Sequence, residues 1–300
     1  MTVATLTTKR PHVAGPSEPM PRRHARVARA ATGAIYLVLA AYVLFPVFWL
    51  LVSAGKPTSQ LITGDNFQAS GFQYLTNLRD LFAFDDGIYG RWLLNTLAYA
   101  GLGSVVSVLI SAMAGFALAK YRFRGRSTVA GSILAGVMIP TTALVLPIFL
   151  LLAEVGLTNN FWGVFAVSLV HPFGVYLCMA FADASVPDEV LEAARIDGAS
   201  EARIVFRIGL PMMRDGLLTV VLLQFVAIWN NYFLPLVLLS DQTLFPVTVG
   251  ITNWNLLSRQ VPDQYRLVLI GALVATIPLM VGFVAMQRFW RAGLTTGSIK

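Results

Sequence analysis

Residues 33–53, "GAIYLVLAAYVLFPVFWLLVS", hold no charged side chain. At about 1.5 Å of rise per residue, a helix of roughly 20 residues crosses a ~30 Å hydrocarbon core, so this run is long enough to span a bilayer once. Five further runs meet the same test: 92–119, 128–153, 161–181, 216–239 and 267–290. Their charged residues are confined to the ends, as with Glu154 just past the third run and Arg288 in the last turn of the sixth. A closed barrel would need short alternating strands rather than long continuous apolar runs. The expected fold is therefore all-α, an integral membrane protein with six transmembrane helices. The shorter run "LFPVTVGI", residues 244–251, cannot cross and reads as a re-entrant or surface segment.

Composition agrees with this reading. Only 12% of the residues are charged, against about a quarter in soluble domains, and 56% are hydrophobic. With the N-terminus inside, 17 of the 22 Lys and Arg fall on the cytosolic side and 5 outside, a bias that sets orientation. Both termini and the loop 182–215 then face the cytosol. The net charge of +7 follows from this placement, and no basic patch is interleaved with base-stacking aromatics, so nucleic acid is excluded as a partner. The single cysteine, Cys178, excludes a disulfide framework, and His12, His24 and His171 are too scattered for a metal site. Residues 1–30 are basic and poor in core formers, which reads as a disordered tail. The run after it is longer than a signal-peptide core and stays as an uncleaved span. The chain then divides into 31–91, a first transmembrane helix with an external segment, a core membrane domain over 92–290 and a cytosolic tail over 291–300. No internal repeat is visible.

The spans themselves carry little chemistry. Ion-coupled transport calls for titrating or coordinating groups within the bilayer, and only His171, in "SLVHPFGVYL", sits inside a span. Its bland role is a hydrogen bond to backbone loosened by Pro172; its functional alternative is the wall of a polar pathway. Prolines 46, 140, 147, 172, 235 and 278 all fall within spans and bend them. Around two of these, "MIPTTALVLP" and "WNNYFLPL", a polar cavity is conceivable. In the second, Trp229, Asn230, Asn231 and Tyr232 put neutral hydrogen-bonding and stacking groups into one apolar helix, which suits a hydroxyl-rich solute. The same groups could instead bridge helices. No paired carboxylates, Ser-His-acid set or metal cluster supports an enzyme acting on lipid.

"EVLEAARIDGASEARIVFRIGLP", residues 189–211, departs from the rest by its closely spaced charges. Ser185 ahead of Pro187 and Asp188 is a plausible helix cap. On a helical wheel Asp188, Glu189, Glu192 and Arg195 share one face, and Val190, Leu191, Ala194 and Gly198 the other. Gly198 ends this helix. A second begins near Ser200, sets Arg203 and Arg207 against Ala202, Val205 and Phe206, and stops at Leu210-Pro211. An anionic leaflet would repel the acidic face, so docking into a protein cleft accounts for it better than lying on lipid headgroups. Ile196, on the charged face, would anchor that contact, and small Ala193 and Ala194 would allow close approach.

Glu192-Ala193-Ala194, three residues, Gly198, nine residues and then Ile208-Gly209-Leu210-Pro211 resembles the EAA loop of ABC importer permeases, here spanning 185–213. "SAGKPT", "LLNTLAYA", "YRFRGR", "GLTNNFWG", "IDGAS", "WNNYFLPL" and the ending "QRFWRAGLTTGSIK" are similar to the carbohydrate, maltose-type branch of these binding-protein-dependent permeases. The resemblance covers residues 33–300. It implies a permease pairing with a second permease subunit, a solute-binding protein outside the membrane, and two cytosolic ATPase subunits. Glu192, Ala193, Ala194, Ile196, Asp197 and Gly198 would be the coupling contacts, framed by Ile208, Leu210 and Pro211. The chain has no Gly-rich loop ending Gly-Lys-Ser/Thr, so it should not hydrolyse ATP, and ATP and Mg would bind the partner subunits. The resemblance implies a sugar as solute, with an oligosaccharide, a disaccharide and a related polyol or glycerol phosphate all open. A non-sugar solute, or ion-coupled transport, are the rival functions.

Overall fold

The computed structural model describes residues 22–63 and 71–296, and their regular structure is helical, with no strand among the described residues. Helix α1 (Arg22–Ala54) opens the chain. Residues up to Leu50 form one unit and those from Leu51 a second. The helix takes in Arg22–Ala30, assigned by composition to a disordered tail; residues 1–21 of that tail lie outside the described residues.

In the second unit, α2 (Thr58–Thr63) and α3 (Tyr74–Ala83) precede a single 3-10 turn, Phe84–Gly87. Then α4 (Ile88–Leu97), a π turn at Ala98–Leu102 and α5 (Gly103–Lys120) run on as one helical rod. The pair α6 (Arg126–Val137) and α7 (Thr141–Glu154) is bent by 104°. Next come α8 (Phe161–Ser168) and α9 (Pro172–Ser185). The charged stretch forms α10 (Asp188–Ile196), α11 (Glu201–Ile204), a second π turn at Val205–Gly209, and α12 (Leu210–Met212). The chain closes with α13 (Arg214–Trp229), α14 (Phe233–Leu238), α15 (Val247–Leu257) and α16 (Asp263–Thr296). Four helical segments are long and apolar enough to cross a membrane, and up to six if each of two bent pairs makes one span.

Two of the proline-bearing spans are not merely bent but interrupted, and side chains satisfy carbonyls freed at each break. The run 216–239 stops being helical at Trp229, where the Asn230 side chain and backbone N–H both bond the Val226 carbonyl, at 2.9 and 3.1 Å. Pro235 cannot donate to the carbonyl of Asn231, which instead accepts from the Thr248 hydroxyl at 2.9 Å. The run 161–181 breaks ahead of Pro172 in the same way. The carbonyl of Ser168 accepts from Gln224 Nε2 at 3.0 Å, and that of Leu169 from the Ser107 hydroxyl at 3.0 Å. The expectation that His171 serves this loosened backbone fails, because its buried Nδ1 has no hydrogen-bond partner. Gln224 and Ser107, on α13 and α5, take that role and so stitch three helices together.

Helix α5 packs most extensively against α9. The reason is visible at Gly115, where a Cβ would lie 2.6 Å from the Met179 nitrogen and 2.8 Å from the Val175 carbonyl oxygen. Only a missing side chain lets the two backbones approach so closely. At the other end of the rod, α4 is laced to the segment before α15. Trp92 Nε1 donates to the Gln242 carbonyl at 2.7 Å, Asn95 Nδ2 to that of Thr243 at 2.8 Å, and the Val247 N–H to the Thr96 hydroxyl at 2.8 Å. Val247 and Val249 are buried, so "LFPVTVGI" is core and not a surface segment. Its apolar residues face α4 and α16 rather than water. Nearby, Arg266 donates to Asn77 Oδ1 at 2.8 Å and Asp80 Oδ2 at 2.7 Å, tying α16 to α3.

Candidate functional site

The charged stretch 188–212 sits at the end of α5 and is built as a mount with a presented face. Ser185 does not cap α10; it is the last residue of α9, and Pro187 occupies the cap position with no side-chain bond. Proline and the acidic first turn, Asp188 and Glu189, suffice to start the helix. Its end follows the Schellman pattern. Gly198 adopts φ +79°, its N–H bonds the Arg195 carbonyl at 3.0 Å, and the Ala199 N–H bonds that of Ala194 at 3.0 Å. The Ser200 hydroxyl then accepts from the Arg203 N–H and starts α11. The second helix does not stop at Leu210-Pro211. The π turn at Val205–Gly209 accommodates the proline in the short α12, and the helix ends one residue beyond it, at Met212.

The inward side of the loop belongs to the main core. Leu191, Ala194, Ile204 and Met213 join Phe116 of α5 and Cys178 and Ala182 of α9 in one buried cluster. Gly209 lies flat on the Phe116 ring, where a Cβ would come within 2.4 Å of the ring carbon Cε2. Polar contacts reinforce the seat. Tyr121, the residue after α5, donates its hydroxyl to Glu201 Oε2 at 2.6 Å, and Arg195 Nε donates to Glu201 Oε1 at 2.8 Å. The Arg195 guanidinium also lies over the Tyr121 ring at 5.9 Å. Lys120 Nζ pairs with Asp188 Oδ1 at 2.9 Å. The Arg195 hydrogen bond, and then that of Tyr121, hold the Glu201 carboxyl below its ordinary value, while burial and Glu201 push the Tyr121 hydroxyl up to about 12. The lysine likewise holds the Asp188 carboxyl low through its hydrogen bond.

Of the expected coupling residues, Glu192, Ala193, Ile196, Asp197 and Gly198 are exposed together, Ile196 at 87%. Ala194 is different: at 9% exposed it faces the protein's own core and helps seat the helix instead of meeting a partner. Of the framing residues, Ile208 and Leu210 are half-buried and Pro211 is exposed. Sequence reading missed the seat itself, made by Phe116, Lys120, Tyr121 and Glu201. The proximity of "KYRF" to the end of a span was its only local signal.

The four residues of the expected solute path do not line one wall. Trp229 is 2% exposed and packs on Phe225 with ring centroids 5.4 Å apart, while Asn230 is exposed and bonded to its own helix. Asn231 and Tyr232 are half-buried at the helix break. Among the described residues no group of His, Cys, Asp and Glu could hold a metal ion.

Residues 107–294 match the family model described as binding-protein-dependent transport system inner membrane component. The chain belongs to this family. The permease is 31% identical to the arabinooligosaccharides transport system permease protein AraQ of Bacillus subtilis, over 91% of this chain and 96% of that one. It is also 31% identical to the lactose transport system permease protein LacG of Rhizobium radiobacter, over 88% and 94% of the two chains. Among solved structures, a bacterial ABC transporter that imports the acidic polysaccharide alginate matches at TM-score 0.75 and 21% identity, covering 90% of the permease and 99% of that chain. This likeness carries the fold. The permease is thus a multi-pass protein of the bacterial cytoplasmic membrane, from a family of transport subunits rather than enzymes.

Proposed function

We propose that the permease is one of two membrane subunits of an ATP-driven sugar importer, and that segment 188–212 is where an ATPase subunit pushes on it. One observation carries the reading: an exposed acidic helix with an apolar tip at Ile196 is fixed by both core packing and ion pairs to the end of the rod α4–α5. A solvated loop needs no such seat, whereas a lever does. Six crossings are the four continuous segments, the bent pair α6–α7 and α13 continued into α14; α11–α12, which meets α13 at a 78° bend, stays with the 188–212 loop and both termini in the cytosol, in keeping with the Lys and Arg bias. ATP and Mg then belong to the two ATPase subunits. A solute-binding protein would approach the opposite end, near the turn at Phe84–Gly87.

A sugar as solute is supported by the relatives named for arabinooligosaccharides, lactose, diacetylchitobiose, trehalose and maltodextrin. The test is uptake into vesicles holding the permease with its second membrane subunit and ATPases, across a panel of labelled saccharides. Uptake of at least one that requires internal ATP and the external receptor is expected. Uptake that persists without the ATPases and follows a proton or Na⁺ gradient would overturn the reading.

A further inference from the structure

A cavity of about 370 Å³ opens at the end of the rod opposite the 188–212 loop, lined by Phe84, Asp85, Trp92, Gln242, Asn253, Trp254, Leu257 and Gln264. The rod from Ile88 to Lys120 puts roughly 50 Å between the two ends. The volume lies in the range of small-molecule sites, about 300–1,000 Å³. Its floor is aromatic. Trp254 packs on Trp92 with centroids 4.6 Å apart and meets Phe84 edge-on at 5.4 Å, and both indoles are nearly fully buried. The Trp92 N–H is already given to the Gln242 carbonyl, so the ring offers packing and not a donor.

The polar groups are biased toward accepting. Gln264 Oε1 is buried with no hydrogen-bond partner, an acceptor left unmet unless something donates to it. Asp85, an acceptor when ionised, stands at φ +50° beside Asp86 at φ +53°, a conformation uncommon for non-glycine residues. Asn253 and Gln242 add amides that both donate and accept. A ligand complementary to this set brings an apolar face for the rings and several hydroxyl donors, and carries no negative charge.

We propose that this cavity is a receiving subsite for one ring of a neutral saccharide on the outer face of the permease, selective against acidic sugars. The proposal rests on the sugar-importer reading above, and adds a site and a charge preference to it. A partner loop seated in the cavity is the alternative occupant, but it leaves the excess of acceptors unexplained.

The test uses the complete transporter in nanodiscs without its receptor, and the neutral saccharide of the uptake panel that it carries, with trigalacturonate as the acidic competitor. Binding of the neutral sugar is expected, weakened about tenfold by Asp85→Asn and by Gln264→Leu, each of which removes one hydrogen-bond partner. Both variants should still assemble with the other subunits and associate with the receptor as wild type does. Unchanged sugar affinity in both variants would overturn the subsite while leaving the importer reading intact. Loss of receptor association with unchanged sugar affinity would assign the cavity to a protein loop, which also overturns it. Equal competition by trigalacturonate would overturn the charge preference. If the complete transporter takes up no sugar at all, the importer reading fails first and the subsite falls with it.

Discussion

The seating of the 188–212 loop can be tested where it is tightest, at Gly209 on the Phe116 ring. An alanine at 209 would place its Cβ 2.4, 2.8 and 3.0 Å from three ring carbons, where ordinary contact begins at 3.4 Å. The ring must therefore retreat by about 1 Å into a core where it is already fully buried. Overpacking of this kind costs about 1–3 kcal/mol. The alternative to strain is for α11 and α12 to lift off α5, which relieves the clash by loosening the lever. Either response should lower the thermal midpoint of the purified transporter and reduce sugar-stimulated ATP hydrolysis more than basal hydrolysis. The decisive comparison is with the double variant Gly209→Ala with Phe116→Leu, whose smaller side chain vacates the clash. It should be more stable than the sum of the single effects by a coupling of about 0.5–3 kcal/mol, and recover stimulated hydrolysis. Strict additivity, or a Gly209→Ala transporter indistinguishable from wild type in both readouts, would refute the close seat.

Three further outcomes are expected. Gly198→Leu and Gly198→Ala should lower stimulated hydrolysis to a similar degree with the complex still assembled, since a Cβ there meets nothing within 4 Å and the penalty is the φ of +79° alone, about 1–2 kcal/mol; a large difference between the two would point to a steric cause instead. Glu192→Lys reverses a charge on the presented face and should reduce the ATPase recovered with the purified permease, with the Glu192→Gln variant intermediate. The Glu201 seat should be insensitive to pH over a wide window. Its lowered carboxyl contributes stability above its ordinary 4.5, lost as pH falls through the depressed value, and the raised Tyr121 hydroxyl contributes below its ordinary 10.0, lost as pH climbs through about 12. Glu201→Gln should therefore lower the thermal midpoint by a constant amount between those limits, and less below 4.5. With the side chains of Arg195 and Glu201 38% and 54% exposed, that amount corresponds to about 1 kcal/mol or less.

What the sequence makes legible is whatever depends on one element at a time. Apolar run length finds helices long and apolar enough to cross a membrane, four outright and up to six with the bent pairs, glycine at 198 marks the end of α10, and Ser200 the start of α11. The helical wheel gives Val190, Leu191, Ala194 and Gly198 a common face; Leu191 and Ala194 are buried, while Val190 and Gly198 are exposed. What it misses depends on pairing. Nothing local to Pro172 says that Gln224, over fifty residues away, will accept the burden of its orphaned carbonyl, so His171 is the nearest candidate that sequence alone offers. The run 216–239 looks continuous because hydropathy does not register that Asn230 competes with the backbone for the carbonyl of Val226. Ala194 falls to a partner in the sequence because an amphipathic pattern shows that a face is apolar, not which protein covers it. The family pattern points to the loop; the seat that holds it emerges only from contacts such as Tyr121 to Glu201 across eighty residues.

The π turn at Ala98–Leu102 interrupts the rod between the cavity at one end and the 188–212 loop at the other. A π turn holds one more residue than an α turn, so the side chains beyond it are rotated by about 100° relative to an unbroken helix. Trp92, Asn95 and Thr96 can therefore address α15 and its leading segment, while Ser107, Gly115 and Phe116 address α9, α13 and the loop. Mechanically, the rod resembles a shaft with a keyed joint: the two halves share an axis but not a phase. One continuous helix thereby presents differently directed faces to α15 at one end and to α9 and the 188–212 loop at the other.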